Sequence, residues 1–116
     1  IYGIALWLKG QKKLVHHELD KAATFLKTAR PTAVNLMYET DRVVAELKLK
    51  FADQSPAEPA YHYVVKDGNA VWKDQHSKNL FMAETALEEL TSIYGDRKLT
   101  LMTHCNTGVL ACGVLG

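Results

Sequence analysis

Lys98-Leu-Thr-Leu-Met-Thr-His-Cys-Asn-Thr-Gly108 is the stretch that decides how the rest of this chain is read. Leu99, Leu101 and Met102 predict a short buried strand, and Asn106-Thr-Gly108 predicts a tight turn with a helix start behind it. In open α/β sheets ligands sit at the carboxyl ends of strands, which puts the Cys105 thiol where chemistry is expected. Only Val109 to Gly116 follow the turn, fewer than the roughly dozen residues a crossover connection needs. The sequence therefore reads as a piece of something larger.

Upstream of that stretch the pattern is helical. From about Gln75 to Tyr94, Leu80, Ala83, Leu87, Leu90 and Tyr94 recur on one face, and Gly95 stands where a C-terminal cap belongs. Leu19, Ala22, Ala23 and Leu26 predict an amphipathic helix over 17–29, widened by Phe25 and Ala29. Arg30-Pro31-Thr32 interrupts it, because proline lacks a backbone N–H and pushes the preceding residue toward extended geometry. A new helix is expected from Thr32 or Ala33, with Leu36, Val43, Val44 and Leu47 on one side. Glu39, Asp41, Arg42, Glu46 and Lys48 supply its polar positions. Ala52 to Pro59 is a breaker-rich loop. After it, Tyr61–Val65 and Ala70–Lys73 flank Lys66-Asp-Gly-Asn69, which predicts a small hairpin, with helical continuation as the competing reading.

Composition narrows the function classes. The chain has 116 residues, 47% hydrophobic and 23% charged, as expected of one globular domain. Fourteen basic and thirteen acidic side chains leave a formal charge of +1, which offers neither nucleic acid nor an anionic membrane an electrostatic footprint. Cys105 and Cys112 are too few for a disulfide framework and form no CxxC pair, so a reducing cytoplasm is expected. Ile1 to Leu8 is far short of the roughly eighteen apolar residues of a membrane span. It also lacks the basic run and cleavage site of a signal peptide. With no initiator Met, it reads as the remainder of a helix whose start lies upstream.

Three sets of residues could carry chemistry. Cys105 is either a small buried hydrophobe or a thiol at a helix start, where unpaired N–H groups and the helix dipole stabilise a thiolate or bind an anion. Gly108 would permit close backbone approach. Arg30, just before a proline-started helix, is either a solvated or carboxylate-paired side chain or a fork for phosphate oxygens. Asn35, one turn on, could hydrogen-bond a ligand. His16, His17, His62, His76 and His104 show no HExxH spacing, and adjacent histidines face different ways on a helix. No metal site is expected, and no cofactor. His104 and Cys105 make a poor nucleophilic pair, since neighbouring strand residues point to opposite sides.

Arg30-Pro-Thr-Ala-Val-Asn-Leu36 and Thr103-His-Cys-Asn-Thr-Gly108, in this order, resemble the signature strings of the methylthioribose-1-phosphate isomerases. These enzymes are relatives of ribose-1,5-bisphosphate isomerase and of the regulatory subunits of eukaryotic initiation factor 2B. Tyr2-Gly-Ile-Ala5 and the Asn79–Leu90 region also resemble family helices, whereas Asp53 to Trp72 departs from the pattern. The resemblance implies a fragment of an α/β family. Residues 1–96 would be a partial, mainly helical N-terminal-type domain with a small hairpin, and 97–116 the first strand of a truncated Rossmann-like domain. It further implies Cys105 as the active-site cysteine, Arg30 as a substrate-binding arginine, and Asn106, Thr107 and Gly108 as the turn around the site.

The implied reaction converts 5-methylthioribose 1-phosphate to 5-methylthioribulose 1-phosphate in methionine salvage, with a phosphorylated pentose as substrate and a homo-oligomer as the assembly. The anomeric oxygen is phosphorylated, so the sugar cannot open freely to an aldehyde. A site must hold the phosphate, protect an opened species from water and move a proton or hydride from C2 to C1. The family's catalytic aspartate, its substrate-binding glutamine and its Asn-Lys pair lie downstream of the cysteine turn, so the chain alone is expected to be inactive. The alternatives are a non-catalytic regulatory module of the initiation-factor kind and a ribose-1,5-bisphosphate isomerase.

Overall fold

A computed structural model describes residues 1–30, 33–104, 108, 109 and 113–115. Four helices dominate. Helix α1 (Tyr2–Lys9) buries Ile4, Ala5 and Leu8, and α2 (His16–Thr28) buries Leu19 and Ala23. Helix α3 (Val34–Lys50) buries Thr40, Val43, Val44 and Leu47, with the Thr40 hydroxyl satisfied by the Leu36 carbonyl at 2.6 Å. Helix α4 (Ala57–Tyr94) buries Ala57, Ala60, Val64 and Gly68 in its first turns. Each buried set follows the helical repeat, so each helix turns one apolar stripe inward.

The chain divides into two compact units, 1–69 and 70–116. The first has a core of Ile4, Leu8, Leu14, Leu19, Val43, Leu47 and Val64, each at most 1% exposed. Burying each such side chain contributes about 1.5–3 kcal/mol. Beside the core, β1 (Lys13–Leu14) pairs antiparallel with β2 (Ser55–Pro56), Lys13 opposite Pro56 and Leu14 opposite Ser55. The Gln54 N–H donates to the Leu14 carbonyl at 2.8 Å and the Ala57 N–H to the Lys12 carbonyl at 3.2 Å, fastening the start of α4.

Ion pairs fix how the helices of this unit lie on one another. Lys27 meets Asp41, and Lys48 meets Asp20, each at 2.6 Å. Stepping back seven residues along α2 steps forward seven along α3, the register of two antiparallel helices over about two turns. Arg42 then ties α3 to α4. It donates to Asp67 through two nitrogens, at 3.1 and 2.6 Å, and also to Glu39 and Glu46 on its own helix. The Tyr63 hydroxyl donates to the remaining Glu46 oxygen.

In the second unit, residues 70–94 of α4 are largely solvent-exposed. The helix ends as the sequence predicts. Gly95 adopts φ +61° and donates its N–H to the Thr91 carbonyl at 2.8 Å, a left-handed cap that glycine takes without strain. A single 3₁₀ turn spans Gly113–Leu115.

Two expectations need comment. The hairpin expected over 61–73 is not formed, and those residues lie within α4. Helical continuation wins because Ala57, Ala60, Val64 and Gly68 form one inward stripe. The structure's small antiparallel pair is instead the one made by residues 13–14 and 55–56. The strand expected at Leu99–Met102 pairs with no strand among the described residues, and Leu101 and Met102 are exposed.

Candidate functional site

The α2–α3 corner is the part of the expected site that the described residues include. Helix α2 closes at Ala29, whose N–H reaches the Leu26 carbonyl at 3.2 Å, and Thr28 Oγ1 donates to the Phe25 carbonyl at 2.7 Å. The Arg30 carbonyl accepts the Ala33 N–H at 3.0 Å, drawing the chain round. Ala33 is extended, at φ −85° and ψ 92°, and its carbonyl accepts the N–H groups of Leu36 and Met37 to begin α3. Among the described residues no side chain caps this start, and its first turn holds no acid. Val34 and Asn35 are exposed there. A helix start carries a partial positive charge that favours an anion.

The Arg30 side chain lies exposed on the same corner, its guanidinium without a hydrogen bond or ion pair among the described residues. A guanidinium beside uncapped N–H groups suits a phosphate, which can take two parallel bonds from the fork while the backbone donates to a third oxygen. The start of α2 is chemically opposite. There the His16 N–H donates to Asp53 Oδ1 at 2.8 Å. This bond holds the Asp53 carboxyl below its ordinary range. His16 Nε2 lies 3.0 Å from the Phe51 carbonyl, which can only accept, so the ring carries its proton on that nitrogen.

Of the remaining expected residues, Gly108 is half-buried at φ +103°, a left-handed conformation that disfavours any side chain. His104 is exposed. Cys105, Asn106 and Thr107 lie outside the described residues, as do Pro31, Thr32 and Cys112.

Among the described residues, the first unit has open clefts along α1 and beside the start of α4, and Arg30 lines neither. One, of about 460 Å³, runs along α1 and α2 between Leu6, Trp7, Phe25 and Leu26. Glu18 and Lys21, joined by an ion pair, also line it. The other, of about 390 Å³, is bordered by Lys9, Glu58, Tyr61 and His62. Among the described residues no helix is long and apolar enough to cross a membrane.

Helical spacing alone gives Glu39 and Glu46 as neighbours of Arg42, but not Asp67, which is 25 residues away. Contact with three carboxylates strengthens the Arg42 proton further. Tyr63 and Arg42 together hold the Glu46 carboxyl below its ordinary range, and donation to Glu46 pushes the Tyr63 hydroxyl up to about 12. These groups brace α3, whose first turn forms the corner.

The comparisons define the class. A family model described as the initiation factor 2 subunit family matches residues 6–116, and the chain belongs to that family. Among curated proteins, the chain is similar to the methylthioribose-1-phosphate isomerase of Gluconobacter oxydans, 35% identical over 115 residues, covering 95% of this chain and 29% of the relative. The enzyme of the same name from Marinobacter nauticus is 32% identical over 85% of this chain and 26% of its own length. That from Natranaerobius thermophilus is 27% identical over 95% and 31% respectively. The chain thus spans less than a third of the length of these relatives. No solved structure gave a significant match.

Proposed function

We propose that this chain is part of an aldose–ketose isomerase acting on 5-methylthioribose 1-phosphate in the cytoplasm. The observation that carries the reading is the joint presence of Arg30-Pro-Thr-Ala-Val-Asn-Leu36 and Thr103-His-Cys-Asn-Thr-Gly108 in a chain whose relatives bear that isomerase's name. The uncapped start of α3 beside Arg30 supports it physically. In this reading Arg30 and the α3 amides hold the phosphate. Asn106, Thr107 and Gly108 shape the turn that opens a Rossmann-like domain at about residue 97. Cys105 polarises or protonates the opening sugar while hydrogen moves from C2 to C1. In this reading these residues act together with the family's downstream aspartate. The working assembly is a homo-oligomer.

The test is a chimera in which residues 2–116 replace the matching stretch of the Gluconobacter oxydans enzyme, assayed by phosphorus NMR with methylthioribose 1-phosphate. Turnover that falls roughly a hundredfold or more with Cys105→Ala is expected. A folded chimera without turnover, or one indifferent to Cys105→Ala, contradicts the proposal.

The family model's description also favours a second reading, a non-catalytic initiation-factor module. Cys105 together with the complete Arg30–Leu36 string argues for the enzyme branch. Ribose 1,5-bisphosphate as the better substrate of the chimera would select the bisphosphate isomerase instead.

A further inference from the structure

We draw no further inference here: the strongest candidate, the exposed apolar face of Leu80, Leu87 and Tyr94 on the C-terminal half of α4, carries nothing because nothing in the structure shows what covers it.

Discussion

The Arg42 guanidinium grips the Asp67 carboxylate in a two-pronged bond, Nη1 to Oδ1 at 3.1 Å and Nη2 to Oδ2 at 2.6 Å, and so locks α3 to the first turns of α4. Both side chains are mostly buried, at 23% and 17% exposure, so water screens the pair less than a surface pair. Removing the cation is worse than removing one anion. Arg42→Met leaves Glu39, Glu46 and Asp67 facing one another and is expected to cost about 3 kcal/mol. Asp67→Asn leaves Arg42 two carboxylates and is expected to cost about 1 kcal/mol. Urea unfolding of the two variants measures the difference, and equal losses would argue against the lock.

The same cluster sets a pH window for stability. Glu46 titrates below its unfolded value, so its contribution is present above the ordinary glutamate range and is lost as acid protonates it. Tyr63 is the opposite case. Its folded value of about 12 lies above the unfolded one near 10, so its contribution is complete below about pH 10 and fades toward pH 12. Thermal melts across pH are expected to show Tyr63→Phe flattening the alkaline limb. An unchanged alkaline limb would mean that the hydroxyl is not held by Glu46.

The Lys27–Asp41 and Lys48–Asp20 pairs set register more than stability. Lys27 is 30% exposed and Asp41 63%, so a double-mutant cycle on them is expected to give less than about 1 kcal/mol, shrinking further in 1 M salt. A coupling of several kcal/mol, insensitive to salt, would contradict this.

Gly68 of α4 packs against Ile1 and Tyr2 at the start of α1. A Cβ there would stand 3.0 Å from Ile1 Cγ2 and from Tyr2 Cε1, and the Tyr2 ring is tethered by its hydroxyl to Asn69 Oδ1 at 2.8 Å. Gly68→Val is therefore expected to destabilise by about 2–3 kcal/mol, because overpacking outweighs any gain in helix propensity. A melting temperature at or above that of the parent would show that the helices can separate freely.

Legibility in the sequence followed the length of the signal. The stripes of α2 and α3, apart from Phe25 and Ala29, which are exposed, and the Gly95 cap could be read because several residues repeat a helical spacing and end at a residue with a physical reason to stop there. The start of α4 misled. Tyr61, Tyr63, Val64 and Val65 favour strands, and Lys66-Asp-Gly-Asn69 mimics a turn, yet tertiary packing overrode both through the small residues Ala57, Ala60 and Gly68. Two-residue strands are too short to show alternation, so β1 and β2 left no trace. The break between α2 and α3 was legible because the sequence places a proline after Arg30, whereas the tie to Asp67 depends on a contact no local rule supplies.

The proposed function requires that one sugar phosphate be held by Arg30 and reach Cys105, and the rate of Cys105 alkylation tests that requirement most directly. In the chimeric isomerase carrying Cys112→Ser, and with other reactive cysteines removed, methylthioribose 1-phosphate is expected to slow reaction of Cys105 with iodoacetamide. Arg30→Ala should raise the concentration needed for protection at least about tenfold, the loss of one charge-assisted phosphate contact. Alkylation unaffected by the sugar phosphate, or protection equally strong in Arg30→Ala, would contradict that requirement.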